Sequence, residues 1–368
     1  MSSESDLVRE QQAIASAPLK VGLFDIQQVD LLADAGTVDV AAMLATRLDQ
    51  LALADELGLD AAFTAERHFL PSYVSSSATT WLAAASQRAT RLRLGVMGYT
   101  LPFRQPIQLA EEVAVLDLLA KGRLEVGFGL GHRVEELEAV GIAPADRITI
   151  FQERLAVLQA LWTGGTISYE RGSVVAKDVT LSPLPAQEPH PPLWFAGTEP
   201  IAAHWMGSRG LGLAVGFKPN DALIPAVTGF LAGRLLRTPE AIAVEPARPL
   251  GTIALMRAVY LSDDDERAFA EIADDLLLLD EKFVADATEA NRAERRSTAQ
   301  DRARAMTQGG MMYIGSAESV TSQLQATRAK LPFDVLLANV HGAAQGPERV
   351  ERTIRLLAEV VRPALTQG

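Results

Sequence analysis

The clearest pattern in the chain is a pair of apolar segments separated by a stretch with helical periodicity. Residues 91–101 are rich in β-forming side chains and end before Pro102. Apolar residues then recur at helical spacing, at Leu109, Val113, Leu116 and Leu119. Lys121 and Gly122 end that helix, and residues 124–131 form a second apolar strand. Because neither strand alternates cleanly between apolar and polar positions, we predict parallel strands that are buried on both faces.

The same succession of strand and helix occurs eight times along the chain. The predicted strands are residues 20–26, 60–66, 91–101, 124–131, 191–197, 210–217, 251–261 and 333–340. Eight repeats favour an α/β fold of the (β/α)8 TIM-barrel type. An open, doubly wound sheet with a second domain is the alternative, but no linker-like change of composition divides the chain. Two insertions are predicted: a polar, hairpin-like segment after strand 4, residues 166–184, and a charged helical pair after strand 7, residues 263–310.

The barrel is predicted to span residues 19–368 as a single domain, preceded by a flexible tail, residues 1–18. The tail has acidic residues near its start and no apolar core, so it does not match a signal peptide. No stretch approaches the roughly 20 apolar residues that cross a bilayer. We therefore expect a soluble, cytoplasmic protein.

Charge and cysteine content exclude several classes of function. The net charge is −12, which argues against a nucleic-acid or anionic-membrane partner. The same charge would repel an anionic substrate unless a local basic pocket overrides it. The chain has no cysteine, so disulfides, thiolate nucleophiles and thiolate metal sites are excluded. The five histidines show no HxxxH or HxH spacing, and we predict no metal site.

In a (β/α)8 barrel the functional residues lie where strands end, on the C-terminal face. Glu66, Arg67 and His68 follow the second predicted strand. A carboxylate and two cations at that place can orient one another and hold an imidazole that titrates near neutral pH. A surface ion pair with an incidental histidine is the alternative interpretation.

Glycines interrupt the third and fourth strands at their ends. Gly98 indicates a bulge or a close approach of the backbone to a planar cofactor; relief of crowding in the barrel is the alternative. Residues 127–131 contain three glycines, but they are not a dinucleotide fingerprint, because the required third glycine falls on His132. His132 and Arg133 can face an anionic group or lie in solvent.

The fifth strand runs directly into a helix at Thr198, Glu199 and Pro200. Thr198 is predicted to cap that helix, whose free amides and positive dipole end form a phosphate site. An ordinary capped helix is the alternative interpretation.

Taken together, these segments resemble the luciferase-like flavin-dependent monooxygenases, the superfamily of bacterial luciferase. The resemblance extends from Lys20 to Asn339. It rests on the AERHF sequence of residues 65–69 and on residues 94–102, 106–117, 121–124 and 189–197. The order and spacing of these segments are specific to the superfamily and to no single member.

The resemblance implies a barrel that binds reduced FMN at its C-terminal mouth. In the family a bulge of the third strand, often with a non-prolyl cis peptide, lies against the isoalloxazine, here near Val96 and Met97. The phosphate lies by the loop after strand 4 and the start of the helix after strand 5. The cofactor-binding residues that this implies are Val96, Met97, Gly98, Gly129, Leu130, His132, Gly197, Thr198 and Glu199.

Two departures from the family pattern bear on the chemistry. The family commonly carries two adjacent histidines after strand 2, whereas this chain has Arg67 in the first place and keeps His68 in the second. Leu130 stands where luciferase has an arginine for the phosphate, and Arg133 and Lys218 are the candidate substitutes. We therefore do not expect the light-emitting oxidation of aldehydes.

The function implied by the resemblance is that of an FMN-dependent monooxygenase, which oxygenates a small organic substrate with dioxygen through a peroxyflavin. Its reduced flavin would come from a separate flavin reductase, and the chain would form a homodimer. His68 is then the expected proton donor or peroxide partner. Arg67 stabilises negative charge or binds a substrate carboxylate or sulfonate, and Glu66 orients both. An F420-dependent oxidoreductase and a non-catalytic flavin-binding barrel are the alternatives.

Overall fold

A computed structural model describes residues 4–29, 38–131, 133–172, 174–238, 245–283, 292–342 and 346–366. Its strands are Lys20–Asp25 (β1), Ala61–Thr64 (β2), Arg93–Thr100 (β3), Leu124–Gly129 (β4), Thr166–Arg171 (β5), Val174–Thr180 (β6), Leu193–Ala196 (β7), Gly212–Gly216 (β8), Ile253–Leu261 (β9), Met312–Gly315 (β10) and Val335–Asn339 (β11). Eight of them close a parallel ring in the order β1-β2-β3-β4-β7-β8-β9-β11, and β11 pairs back to β1. The predicted (β/α)8 barrel is confirmed.

Helices surround this ring. They are Glu4–Ser16 (α1), Val40–Glu56 (α2), Ala78–Arg88 (α3), Pro106–Leu119 (α4), Val134–Ala139 (α5), Arg147–Trp162 (α6), Pro200–Ser208 (α7), Asn220–Arg234 (α8), Asp265–Phe283 (α9), Arg292–Gln308 (α10), Ala317–Lys330 (α11), Pro347–Leu356 (α12) and Arg362–Thr366 (α13). A π-helical turn, Leu357–Val361, joins the last two. Within the described ranges, no helix combines the length and apolar character that crossing a lipid bilayer requires.

Apolar side chains fill two layers, one on each side of the ring of strands. The inner layer includes Phe63, Met97, Trp194 and Met256, which point into the barrel. The outer layer packs between strands and helices and is the larger of the two. Because the ring strands are covered on both sides, nearly every residue in them is buried, which explains the missing alternation in their sequences.

Both predicted insertions lie where the sequence placed them. After β4 and its helices, β5 and β6 form an antiparallel hairpin. After β9, helices α9 and α10 form the charged pair. An additional strand, β10, was not predicted; it pairs with the outer end of β9, from Ala258 to Leu261. Four residues with a short apolar run do not distinguish a strand from the start of a helix.

The prediction of a loose N-terminal tail is wrong over its described part. Residues 4–16 form helix α1, in which Ile14 is 7% exposed and packs into the outer layer. Arg328 donates a hydrogen bond of 2.7 Å to the Ile14 carbonyl, and Arg234 lies 3.4 Å from Glu10. These contacts come from α8 and α11, far along the chain, so the local sequence of the tail carries no sign of them.

Candidate active site

A cavity of about 590 Å³ opens at the C-terminal ends of the barrel strands. Its walls come from β1, β2, β3, β4, β7, β8 and β9 and the loops that follow them. A concave site of this size is typical for small molecules and cofactors. The cavity lies at the face on which the sequence analysis placed the functional residues.

Nine residues named from the sequence line this cavity. They are Glu66, Arg67, Met97, Gly98, Gly129, Leu130, Gly197, Thr198 and Glu199. Two others do not line it: Val96 is fully buried in the outer apolar layer, and His68 lies behind Glu66. His132 lies outside the described residues.

Strand β3 carries a bulge beside the cavity. Its pairing with β4 shifts register between Val96 and Tyr99, and the Met97–Gly98 peptide bond is cis. A Cβ added at Gly98 would lie 2.7 Å from the backbone carbon of Gly127. Only glycine therefore allows the two strands to approach so closely. Successive residues of a strand point to opposite faces, so Met97 lies inside the barrel and Val96 on the helical side, which corrects the expectation that both face the cofactor.

Gly129, at the end of β4, leaves open space on the cavity side. The nearest atom that its added Cβ would meet is the Tyr99 carbonyl oxygen at 4.0 Å. In contrast to Gly98, a side chain is therefore sterically possible here. Its absence widens the cavity next to the bulge, where a flat ring can lie.

Glu66 is the centre of a buried network of charged side chains next to the end of β3. Its side chain is fully buried, and it accepts a 3.0 Å hydrogen bond from the backbone amide of Thr100. Its second oxygen lies 3.5 Å from Arg104, and its first lies 3.1 Å from Nε2 of His68. The His68 ring packs against Phe103 at 5.3 Å. Because the His68 imidazole contacts the Glu66 carboxylate and does not line the cavity, the geometry does not support its expected role as proton donor.

The network extends away from the cavity through Arg104. Its Nη2 lies 2.5 Å from Glu112, which accepts a 3.0 Å hydrogen bond from Thr79. Thr79 in turn hydrogen bonds the Tyr99 hydroxyl at 2.8 Å. Burial raises the pKa of Tyr99, so its hydroxyl stays protonated near neutral pH.

Arg67 and Tyr73 form the wall of the cavity at the exit of β2. The guanidinium of Arg67 lies 5.9 Å from the centre of the Tyr73 ring. The backbone amide of Arg67 donates to the Ser75 carbonyl, which anchors the loop. Of the three residues predicted to act together, Arg67 therefore brings its charge to the cavity, with Glu66 behind it.

At the other end of the cavity, Arg147 occupies the first turn of α6. It shares that wall with Gly131, Thr198, Glu199 and Ala202, the last in the first turn of α7. Across the described ranges of the chain, Arg147 has no hydrogen-bond or ion-pair partner, although it is half-buried. An unpaired guanidinium beside a helix N-terminus is suited to a phosphate.

The two cations expected at this place lie elsewhere. Arg133 lies 3.5 Å from Glu136 and 3.8 Å from Glu135 and does not line the cavity. Lys218 does not line the cavity either, and its backbone carbonyl accepts a hydrogen bond from Arg257. Arg147 was missed because it lies beyond the intervening helix α5, well after the end of β4.

The predicted cap at Thr198 is also wrong. The N-cap of α7 is Glu199, and its side chain makes no capping hydrogen bond. The first-turn amides of α7 are thus not occupied by a side chain from the cap position.

In the parts of the chain that the structure describes, no group of three potential metal ligands occurs.

Comparison with known sequences places most of the chain in one group. Residues 19–334 match a family model described as luciferase-like monooxygenase. An uncharacterised protein of Sinorhizobium fredii is 30% identical over 258 residues, which is 70% of this chain and 71% of that protein. The oxygenase component of flavin-dependent trigonelline monooxygenase from Acinetobacter baylyi is 28% identical over 59% of each chain. F420-dependent glucose-6-phosphate dehydrogenase of Intrasporangium calvum is 31% identical over 49% of this chain and 58% of that protein.

Solved structures share the fold at lower sequence identity. Monooxygenase RslO1 from Streptomyces bottropensis superposes with a TM-score of 0.78 at 23% identity, over 94% of this chain and 99% of that one. The oxygenating constituent of 3,6-diketocamphane monooxygenase from Pseudomonas putida, solved in complex with FMN, gives 0.74 at 17% identity, over 94% and 98%. These matches extend the likeness to the whole barrel.

Proposed function

Since the chain belongs to the luciferase-like monooxygenase family, we propose that it is an FMN-dependent monooxygenase that oxygenates a small organic substrate with dioxygen. Members of the family are oxidoreductases and monooxygenases. The observation that carries the proposal is the shape of the cavity, with a glycine-lined wall at the bulge and an unpaired arginine at one end. Bound reduced FMN would supply the electrons that activate dioxygen.

The residues present fit this cofactor. Met97 and Gly98 would support the flat ring system, and Gly129 leaves it room. Arg147 and the first turn of α7 would bind the phosphate, because both offer donors next to Gly197 and Thr198. The cavity walls then exclude water from the reacting ring, which is the contribution a protein makes to such chemistry.

An F420-dependent oxidoreductase is the second candidate. It is supported by the relative from Intrasporangium calvum, whose name specifies F420 and which is 31% identical over half of this chain. The FMN proposal is favoured by the relative named as a flavin-dependent monooxygenase, which aligns over a larger share, 59%.

Equilibrium titration with FMN and F420 tests the choice. We expect FMN to bind at least tenfold more tightly than F420. Arg147→Ala should weaken FMN by about tenfold to a hundredfold, the loss of one charged hydrogen-bonding pair, and leave riboflavin unchanged, since riboflavin lacks the phosphate. Arg133→Ala is the matched control and should leave both unchanged. Tighter binding of F420 would reverse the assignment, and equal loss of FMN and riboflavin would contradict the role of Arg147.

We also propose that the reduced flavin comes from a separate reductase, because the sequence contains no nicotinamide-binding fingerprint. Under anaerobic conditions NADH alone should then leave FMN oxidised in the presence of the purified protein. Addition of a flavin reductase should then restore reduction of the flavin, and product should form only after dioxygen is admitted. Direct reduction by NADH at a catalytic rate would contradict the proposal.

The homodimer stays a proposal as well. One face of α4 presents Val115, Leu118 and Leu119, each nearly half exposed and spaced to lie side by side. A contiguous apolar face is typical of an interface, and we assign it to a second copy of the chain. Sedimentation should show a dimer for the natural sequence and a monomer for Leu118→Glu. Val175→Glu, at a more exposed apolar site on the hairpin, should remain dimeric.

A further inference from the structure

The end of the cavity opposite Arg147 has a distinct chemistry. Strands β1, β8 and β9 contribute only apolar residues to it: Phe24, Ile26, Ala214, Gly216, Phe217 and Met256. The rings of Phe24 and Phe217 lie 6.2 Å apart at 44°. If the phosphate of the cofactor takes the Arg147 end, this apolar end is left for the substrate.

Charge reaches this end from the loop after β2. Among the lining residues that the structure describes, this loop contributes two charged side chains, Glu66 and Arg67. The carboxylate of Glu66 is directed to the Thr100 amide, Arg104 and His68, as its distances show. The guanidinium of Arg67 lies against the ring of Tyr73 within the wall. The loop after β2 therefore brings one guanidinium, that of Arg67, to the wall beside the apolar end of the cavity.

The backbone conformation of Phe217 supports ligand binding at the apolar end of the cavity. Phe217 has φ of 58°, in the left-handed region that bulky residues rarely adopt, and is 47% exposed. The preceding Gly216 is required, since its added Cβ would lie 2.6 Å from the Met256 carbonyl oxygen. Conformations of this kind concentrate at ligand sites, where the surrounding structure holds them. The aromatic ring is thus placed at the mouth despite its exposure.

We propose that the substrate is a small organic anion, whose carboxylate or similar group binds Arg67 and Tyr73 while a ring-shaped apolar body packs against Phe24 and Phe217. The proposal rests on the function proposed above. A guanidinium binds a carboxylate through two parallel hydrogen bonds, and partial burial strengthens the pair. A neutral analogue of the same shape keeps the apolar contacts and loses the charged ones.

Binding of benzoate and benzamide to the FMN-loaded protein tests this selectivity. The two probes share one ring and differ in charge, and flavin absorbance and calorimetry report their dissociation constants. We expect benzoate to bind at least tenfold more tightly than benzamide. Arg67→Gln should weaken benzoate by tenfold or more and benzamide by less than twofold, and Arg67→Lys should fall between. Phe217→Ala should weaken both probes alike. Arg133→Gln is the control and should change neither.

The outcomes separate this inference from the function it rests on. Normal FMN binding with equal affinity for benzoate and benzamide overturns the anion site and leaves the cofactor assignment standing. An Arg67→Gln protein that keeps its fold, by circular dichroism, but loses both probes alike also overturns it. Failure of the natural protein to bind FMN overturns the proposed function itself.

Discussion

At the scale of single residues, the buried carboxylate of Glu66 decides how the site is held. A charge without solvent is tolerated only when protein groups replace the water. Thr100 and Arg104, at the end of β3 and just after it, do this together with His68, which belongs to the same loop as Glu66. Removal of Arg104 would leave the carboxylate with one amide and one imidazole, while its burial stays the same.

Arg104→Gln should therefore lower the free energy of unfolding by about 3 kcal/mol, as expected when one partner of a buried pair is removed. Urea unfolding measures it. Arg88→Gln is the control, because Arg88 and its partner Asp49 are both more than half exposed and such pairs contribute about 0–1 kcal/mol. Losses of equal size in the two variants would show that the Glu66 pair is no more than a surface contact.

His341 should make the stability depend on pH. Burial lowers its pKa to about 3, while Asp25, 3.6 Å away, acts in the opposite direction and Arg47 adds to the lowering. Its Nε2 hydrogen bonds Gln50 at 2.9 Å. Unfolded histidine has a pKa of about 6.5. Between those values the unfolded chain binds a proton that the folded chain does not, so stability is present above pH 6.5 and is lost as the pH falls.

The slope attributable to His341 is up to about 1.4 kcal/mol per pH unit below pH 6. Urea midpoints of the natural protein and of His341→Gln at pH 7, 6 and 5 measure it as a difference, which removes the contribution of other groups. The variant should show the flatter profile. Parallel profiles would mean that His341 accepts a proton in the folded protein.

Of the residues at the site, the sequence predicts those that lie at the ends of strands. Glu66, Arg67 and Gly98 lie at the exits of strands, and parallel exits meet at one mouth. Arg104 follows a turn and Arg147 begins a helix, and no local pattern marks the contact of Arg104 with Glu66 or the place of Arg147 in the cavity wall. The predicted position of His68 was wrong because it lies in a loop, whose course the sequence does not show. That of Val96 was wrong because neighbouring residues of a strand point to opposite faces, so Val96 and Met97 cannot both face the cavity.

At the scale of elements, the paired strands β3 and β4 contain glycines of two kinds. Gly98 is required by the backbone, whereas Gly129 has free space beside it. Gly98→Ala should thus destabilise the fold by about 1–3 kcal/mol through overpacking. Gly129→Ala should change stability by less than about 0.5 kcal/mol, as is usual away from such features, and yet weaken FMN binding several-fold.

Thermal unfolding and FMN titration of both variants check this contrast, with Gly165→Ala as a reference because its Cβ would meet nothing. An unchanged FMN affinity for Gly129→Ala would show that the ring lies elsewhere. Unchanged stability of Gly98→Ala would show that β3 and β4 can separate.

Elements that bury their own apolar residues in the barrel were predictable, and those that depend on distant partners were not. All eight ring strands are mostly apolar, although β4 contains Glu125 and β9 contains Arg257. Helix α1 has only Ile14 in the core and depends on Arg328 for its end, and β10 is four residues long. The hydrophobic periodicity of a segment shows which of its own residues are buried. It does not show contacts that residues from another part of the chain make with the segment.

At the scale of the whole molecule, the net charge of −12 acts against the charge at Arg67. A negative protein repels an approaching anion over distances comparable with the screening length, about 30 Å at 0.01 M salt and about 10 Å at 0.1 M. Bound FMN adds further negative charge. The contact with Arg67 forms at short range in a partly buried wall and is screened much less.

Salt should therefore speed the entry of benzoate into the FMN-loaded protein. Between about 0.01 M and about 0.1 M salt we expect its association rate constant to rise about twofold, because screening removes long-range repulsion before it weakens the short-range pair. NMR line shapes of the probe measure the rate, and benzamide, which is neutral, should show no change. A fall in the benzoate rate with salt would mean that the field at the mouth is positive. The local charge of Arg67 and Arg147 would then outweigh that of the whole protein.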